Sequence, residues 1–192
     1  MVVTIHQPEH FPYGGFFQKM AASDLFIILD NVNYRKNYFQ NRNRFLNSNN
    51  LEEWFTIPVE KNATKKLIKD VLVNDTLPWR KKLLSKLQQN FKIDFTEVYK
   101  PNSLLNINLN SIEWARKKLN INTKIILASS LEIEGNKSEL LANICKKLNA
   151  TTYLSGPSGK DYLDLTYFNN IKVEYHTPNV DNIYSCIYNI KK

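Results

Sequence analysis

The sequence has few cysteines and no long apolar runs, and these shortages exclude several classes of protein. Its 2 cysteines, Cys145 and Cys186, form no CxxC pair, and no histidine spacing completes a zinc site. We therefore expect reduced, structural thiols and no metal centre. No apolar run approaches the roughly 18 to 20 residues that cross a bilayer, and the N-terminus lacks a signal-peptide pattern. These absences predict a cytoplasmic protein without a membrane span.

Acidic residues are also in deficit, with 18 Asp and Glu against 26 Lys and Arg, and the formal net charge is +8. A basic balance attracts anions, which include nucleic acid, phosphorylated small molecules and membrane surfaces. Much of the excess consists of paired lysines expected on solvated helix faces. A chain of 192 residues buries roughly 70% of the surface that its unfolded form exposes. We therefore predict one domain over residues 1–192.

Short apolar runs alternate with amphipathic segments along the chain. Strands are predicted at 2–5, 25–29, 123–128, 150–154 and 171–175, with an edge strand at 54–59 that Pro58 interrupts. Helices are predicted at 16–22, from 79 onward, at 106–119, and after the Asn136 and Glu139 pair, which has capping-box spacing. This order predicts an α/β fold with a mainly parallel, Rossmann-like sheet flanked by helices.

Polar side chains follow the first two predicted strands. His6 and Gln7 come directly after the run Val2 to Ile5, and Asp30 ends the second run. Open α/β sheets usually hold ligands at the carboxyl ends of their strands. Histidine changes charge near neutral pH, so His6 is a candidate general base. The alternative is a buried imidazole that fixes a turn by hydrogen bonds.

A second group of candidates lies in the segment 31–45, which we expect to be a basic, aromatic loop. It contains Lys36 and the triplet Asn41-Arg42-Asn43. Arginine binds phosphate or carboxylate through a planar fork, and flanking amides can contact a sugar or base. The aromatic residues Tyr34, Tyr38 and Phe39 are candidates for a stacking wall, which also suits single-stranded nucleic acid. The alternative is a solvated loop with inward aromatics.

A third group follows the strand predicted at 150–154. Ser155, Gly156, Gly159, Lys160 and Asp161 are typical of a backbone nest for an anion, provided that a helix begins near Asp161. The segment is not a P-loop. That motif needs four residues between its glycines and a Ser or Thr after its lysine.

The ordered series of motifs resembles the WbqC-like family. The motifs are HQP at 6–8, Phe11-Pro12-Tyr13 with Gly15 and Lys19, Ala22-Ser23-Asp24 ahead of the strand ending in Asp30, NRN at 41–43, and YLSGPSGKDYL at 153–163. Members of this family tend to be encoded in gene clusters for O-antigen, lipopolysaccharide and other surface polysaccharides. The resemblance implies a transferase that places an amino-acid or acyl unit on an amino sugar.

The resemblance also implies a set of site residues. His6 and Gln7 fall on the catalytic positions. The substrate-binding positions are Tyr13, Lys19, Asp30, Lys36, Asn41, Arg42, Asn43, Ser155, Gly156, Gly159, Lys160 and Asp161. The sequence departs from the family near its end. The family usually has a longer final segment, which is compressed here into HTPNVDNIYSCIYNI.

The sequence therefore predicts an N-acyl or aminoacyl transferase, glycyl transfer included, that modifies a nucleotide-linked amino sugar. The donor stays open between a coenzyme A thioester, an aminoacyl-tRNA, and ATP with a free acid. Nucleic acid is expected as a partner only if it carries the aminoacyl group. One alternative is an adenylating or nucleotidyl-transfer enzyme that activates an acid with ATP. The other is a non-catalytic module that binds RNA or a partner protein.

Overall fold

A computed structural model describes residues 1–190 and has an α/β fold, as the sequence predicts. The chain separates into two compact units, each assembled from three segments. Unit 1 comprises Met1–Gln7, Gly15–Asp30 and Ile121–Val180. Unit 2 comprises Pro8–Gly14, Asn31–Asn120 and the described residues from Asp181 onward. A single domain over 1–192 stays a prediction.

Unit 1 contains a five-stranded sheet in the described part of the chain. Listed in their order across the sheet, the strands are β5 (Lys124–Leu127), β2 (Leu25–Ile28), β1 (Val2–His6), β6 (Thr152–Ser155) and β7 (Lys172–Tyr175). Every neighbouring pair is parallel. Parallel strands buried on both faces carry continuous apolar runs, and all four residues of β2 are buried. The predicted parallel sheet is confirmed.

The register of β1 positions the candidate residues of unit 1. β1 pairs with β2 on one side, where His6 lies opposite Ile28, and with β6 on the other, where Val3 lies opposite Tyr153. The strand order reverses between β1 and β6, which makes this the topological switch point of the sheet. Because all five strands run the same way, the residues that follow them share one edge. The polar groups after β1 and β2 therefore emerge at the same edge of the sheet.

Helices of unit 1 connect these strands. They are α1 (Gly14–Ala21), of which residues 15–21 are in unit 1, α4 (Lys137–Lys147), α5 (Gly159–Tyr162), and the 3-10 helices Ala128–Leu131 and Leu165–Phe168. α4 begins where expected, but the Asn136 side chain makes no capping hydrogen bond. The next residue, Lys137, has a φ of 49°, far from a helical value. Cys145 on α4 is buried, and burial raises its pKa to about 12, so this thiol stays protonated.

Unit 2 contains an antiparallel hairpin, formed by β3 (Arg42–Leu46) and β4 (Glu52–Thr56). Its helices are α2 (Trp79–Phe91), α3 (Leu104–Lys118), α6 (Cys186–Ile190), and the 3-10 helices Ala63–Lys65 and Ile68–Asp70. The prediction of a loop throughout 31–45 is therefore wrong, because the Asn41-Arg42-Asn43 triplet runs into β3. The strand expected at 54–59 instead ends at Thr56, ahead of Pro58.

The core of unit 2 is built around aromatic rings that meet edge to face. Phe11 contacts Phe95 at 5.1 Å and Trp114 at 5.7 Å between ring centroids. His10 lies beside them, fully buried, with its Nε2 atom 3.0 Å from the Tyr99 hydroxyl. Burial lowers the pKa of His10 to about 3. The imidazole is therefore neutral at physiological pH and acts as part of the core.

We expect His10 to make the protein sensitive to acid. Between about pH 6.5 and pH 3, a histidine in the unfolded chain is protonated while buried His10 is not, so stability falls as the pH is lowered through this window. The loss is about 1.4 kcal/mol per pH unit for one such group. Urea unfolding of His10→Gln at pH 7 and pH 5 should show a correspondingly smaller drop than the unsubstituted protein. Equal drops would contradict a buried neutral imidazole.

Candidate active site

His6 is the last residue of β1 and is held in a defined orientation. Its Nδ1 atom lies 2.9 Å from the backbone carbonyl oxygen of Gln7. Because a carbonyl oxygen only accepts hydrogen bonds, Nδ1 carries the proton, and Nε2 is the unprotonated nitrogen of the neutral ring. The ring also packs edge to face against Phe16, with centroids 4.8 Å apart. These contacts leave Nε2 as the atom of His6 that can accept a proton.

Lys19 brings positive charge to the same part of unit 1. It lies on α1 and is only 4% exposed. The pKa of His6 is lowered to about 3, first by burial and then by the Lys19 ammonium, while the hydrogen bond to Gln7 opposes both. The pKa of His176 is also lowered, first by burial and then by Lys19. His6 is therefore a neutral imidazole near a buried cation.

The end of β6 adds a hydroxyl group and an open backbone position. Ser155 is fully buried, and its hydroxyl makes no hydrogen bond of ordinary geometry within residues 1–190 but interacts with the Tyr153 hydroxyl, which opposes the rise in the pKa of that tyrosine. At Gly156, a Cβ atom would lie 3.9 Å from the Lys19 ammonium nitrogen, so the cation closely approaches this backbone. A buried cation favours a nearby anion. The switch point therefore suits a small anionic group such as carboxylate or phosphate.

Asp30 follows β2 and has a different set of contacts. The carboxylate is fully buried. Its oxygens accept hydrogen bonds from the Ser129 backbone N–H at 2.9 Å and from the Ser129 hydroxyl at 2.6 Å. Asp30 thus joins the end of β2 to the turn after β5. These contacts suit a residue that positions the sheet edge, and direct contact with substrate stays a prediction.

The glycine loop at 155–161 differs from the expected nest. α5 begins at Gly159 rather than near Asp161. The backbone N–H groups of residues 159, 160 and 161 donate to the carbonyls of residues 156, 157 and 158 over 3.0 to 3.3 Å. These three N–H groups therefore already have hydrogen-bond partners within the turn and do not form the expected anion nest. Lys160 and Asp161 are exposed, and the Lys160 ammonium lies 5.5 Å from the centre of the Tyr175 ring.

The remaining predicted residues lie in unit 2, and two of them have buried amides. Asn41 donates from its side chain to the carbonyl of Ile57 at 2.9 Å. Asn43 donates to the carbonyls of His10 at 3.1 Å and Phe11 at 2.8 Å. These asparagine amides support the backbone of unit 2. Binding of a sugar or base by them stays a prediction.

The other three predicted residues of unit 2 are less enclosed. Arg42 is half-buried, with its guanidinium 4.4 Å from the centre of the Trp54 ring. Lys36 is exposed. Tyr13 is half-buried, and its pKa is raised first by burial and then by the negative charge of Glu9. The structure thus groups His6, Lys19 and the 155–161 loop in unit 1, while these residues belong to unit 2.

Sequence reasoning missed two residues of unit 1. His176 directly follows β7, and its backbone N–H donates to the carbonyl of Ser155 at 2.9 Å. The rule that selected His6, a polar residue at a strand end, would also have found His176. Ser129, the partner of Asp30, follows β5 but lies 99 residues away in sequence. Only the pairing of β2 with β5 brings the two together.

Neither a metal-binding cluster nor a membrane-spanning helix occurs in residues 1–190. No three His, Cys, Asp or Glu side chains of this range are grouped so that they could hold a metal ion. No helix in the same range is long and apolar enough to cross a bilayer.

Comparison with known proteins identifies the family. The sequence profile of the WbqC-like protein family matches residues 7–189. The chain belongs to the WbqC-like family. Its sequence is also 33% identical, over 186 residues, to "Uncharacterized protein Rv1507c" of Mycobacterium tuberculosis (strain ATCC 25618 / H37Rv), covering 89% of this chain and 79% of that protein. No solved structure matches significantly. The predicted family is confirmed.

Two glycines of this WbqC-like loop should respond differently to alanine. At Gly159 a Cβ would overlap the Ser155 hydroxyl, whereas at Gly156 it would make only an ordinary contact with Lys19. We expect Gly159→Ala to lower the free energy of unfolding by about 1 to 3 kcal/mol, and Gly156→Ala to change it by about 0.5 kcal/mol or less. Chemical denaturation measures both.

A double variant tests the cause of the Gly159 effect. Ser155→Ala removes the overlapping oxygen and leaves the Ser155 Cβ 3.1 Å from the new methyl group. The Gly159→Ala/Ser155→Ala protein should therefore recover part of the lost stability. Equal losses at Gly156 and Gly159, or no recovery in the double variant, would contradict this packing.

Proposed function

We propose that this WbqC-like protein is a cytoplasmic N-acyl or aminoacyl transferase, with glycyl transfer included, that acts on a nucleotide-linked amino sugar for O-antigen or other surface polysaccharides. The observation that supports it best is the orientation of His6. Its Nδ1–H is bound by the Gln7 carbonyl, so unprotonated Nε2 remains at the switch point of the sheet, near Lys19. A neutral imidazole at such an edge suits proton removal from an attacking amine.

The reaction would proceed by addition and elimination at the acyl carbon. The sugar amine attacks the carbonyl carbon of the donor, and His6 Nε2 takes the proton that the nitrogen loses as the C–N bond forms. The bond between the acyl carbon and the leaving group then breaks. The proton passes from His6 to the departing group, which restores the neutral ring. Gln7 orients the acceptor in this scheme.

Lys19 adjusts the basicity of His6 in this proposal. Burial and the positive charge of Lys19 lower the pKa of His6 to about 3, which makes the ring a weak base. A phosphate or carboxylate bound beside Lys19 offsets the positive charge and raises the pKa of His6 toward its ordinary value. Substrate binding would thereby activate the base.

The donor is a coenzyme A thioester, an aminoacyl-tRNA, or an acid activated by ATP.

The end of β6 adds a second part to the proposed site. The loop from Ser155 to Lys160 binds an anionic part of donor or acceptor there. A substrate contact by Lys36, Asn41, Arg42 or Asn43, which belong to unit 2, stays a prediction.

The strand order supports a second candidate, an adenylating enzyme. Nucleotides commonly bind to parallel sheets in which the strand order reverses beside the first strand. The order β5-β2-β1-β6-β7 has this arrangement. Such an enzyme would exchange labelled pyrophosphate into ATP when given the right acid. A non-catalytic module would give neither exchange nor an acylated sugar.

Replacement of His6 tests the general base. We expect His6→Ala to lower turnover by about 100- to 10,000-fold, the usual contribution of a positioned base. Product is measured by mass spectrometry after incubation of nucleotide-linked amino sugars with each donor class. Added imidazole should restore part of the lost rate, because it can replace the missing ring. A normal thermal unfolding curve controls for folding, and unchanged turnover would remove His6 from the mechanism.

Replacement of Lys19 tests how the base is adjusted. Lys19→Met removes a charge that lowers the pKa of His6, so that pKa should rise. The acid limb of kcat/KM, which reports groups of the free enzyme, should therefore move to higher pH. KM for the anionic substrate should also increase. Lys19→Arg, which retains the charge, is the matched control, and an acid limb that stays in place would exclude the proposed coupling.

A further inference from the structure

The hairpin of unit 2 has one buried face and one half-buried face. Asn43 and Phe45 of β3 are buried, while Arg42 and Arg44 alternate with them and are half-buried. Arg44 lies opposite Trp54 of β4 in the strand register. The period of two residues in a strand therefore puts both arginines and Trp54 on the outer side of the hairpin.

Cationic and aromatic groups are continuous across this outer side. The guanidinium carbons of Arg42 and Arg44 lie 4.4 Å and 5.2 Å from the centre of the Trp54 ring. Phe39 is nearly parallel to Trp54, at an angle of 21° and a centroid distance of 6.5 Å. Tyr38 lies 5.6 Å from Phe39, and Arg35 lies 4.7 Å from Tyr38. We call these six residues, together with Lys36, the Trp54 surface.

The Trp54 surface is only partly enclosed, since Phe39, Arg42, Arg44 and Trp54 are half-buried. Phe45 and Phe55 on the inner side of the hairpin supply its buried rings. Tyr38 is 38% exposed, and Arg35 and Lys36 are exposed. One acidic residue is close: Glu52 lies 3.5 Å from the Arg44 guanidinium and accepts a hydrogen bond from the Trp54 indole at 2.9 Å. Glu52 thus fixes the indole while Arg35, Lys36 and Arg42 give the surface a positive balance.

We propose that the Trp54 surface binds single-stranded nucleic acid, with unpaired bases stacked on its aromatic rings and phosphates bound by Arg35, Lys36 and Arg42. Flat rings beside guanidinium groups suit this ligand, because every unpaired base offers a π face and every nucleotide carries a negative charge. A duplex keeps its bases stacked internally and offers only its charge. Binding of nucleic acid at the Trp54 surface uses no step of the proposed transfer reaction. The two proposals can therefore be tested separately.

A second basic surface of unit 2 provides the contrast. A shallow depression along α2 is lined by Pro78, Lys81, Lys82, Ser85, Lys86 and Gln89. None of these residues is aromatic. Lys81 and Lys82 are exposed and carry two positive charges. If charge alone governed binding, both surfaces would contribute equally.

Fluorescence anisotropy with a labelled 12-nucleotide oligouridine tests the proposal on the full chain. We expect measurable binding that weakens with salt, with a log–log slope of about −2 for three phosphate contacts on a single strand. The same length of duplex RNA should bind at least about 10-fold more weakly if stacking contributes 1 to 3 kcal/mol per base. Equal affinity for the duplex would overturn the proposal. So would displacement of the labelled oligouridine by uridine monophosphate at a concentration comparable to the Kd of the oligouridine.

Matched variants separate stacking from charge. Trp54→Leu should raise Kd about 5- to 100-fold and leave the salt slope unchanged. Arg35→Gln/Arg42→Gln should reduce the slope by about 1.4, whereas Lys81→Gln/Lys82→Gln, with the same loss of charge, should change Kd little. Equal losses in the two double variants, or an unaffected Trp54→Leu protein, would overturn the proposal.

Two further measurements make the result specific. Thermal unfolding of each variant should match that of the unsubstituted protein within a few degrees, so that weaker binding reflects the surface. His6→Ala should bind the oligonucleotide normally. A loss of binding in His6→Ala would contradict an independent surface in unit 2, while inactive transferase assays would leave the binding result unaffected.

Discussion

Parallel pairing of β1 between β2 and β6 is the constraint on which the chemistry of unit 1 depends. It fixes the direction of the strands, and hence the edge of the sheet. His6 and Ser155 end their strands at this edge, and Asp30 and His176 come just after theirs. A hydrogen bond from the buried Thr4 hydroxyl to the Leu154 carbonyl, 2.6 Å long, adds to this pairing. A shift of one residue in β1 would turn His6 to the other face of the sheet.

Two kinds of polar residue occupy this edge. Asp30 accepts two hydrogen bonds from Ser129, so its buried carboxylate has partners within the protein. His6 differs, because burial and the nearby Lys19 ammonium keep its imidazole neutral with Nε2 unprotonated. The hydrogen bonds of Asp30 make the sheet edge rigid, whereas His6 and Lys19 favour binding of a ligand. A binding site requires rigid support beside the groups that contact the ligand.

Much of unit 1 follows from the sequence, because its strands are short β-branched or aromatic runs and its helices have clear periodicity. β3 could not be recognised in the same way. Its inward residues are Asn43 and Phe45, so half of its buried side is polar, and the usual apolar alternation is missing. The role of the Asn43 amide depends on the carbonyls of His10 and Phe11, more than 30 residues earlier. Such contacts are tertiary and leave little trace in local sequence.

The pairing of β1 with β6 also bears on biosynthesis. Thr4 and Leu154 are 150 residues apart, so the first strand leaves the ribosome long before one of its two neighbours exists. Until then, one side of β1 has unpaired backbone groups, which invite association with other nascent or aggregating chains. The sheet is therefore completed only after the chain from Thr4 to Leu154 has been synthesised. Protection of this early strand by a chaperone would favour a good yield of folded protein.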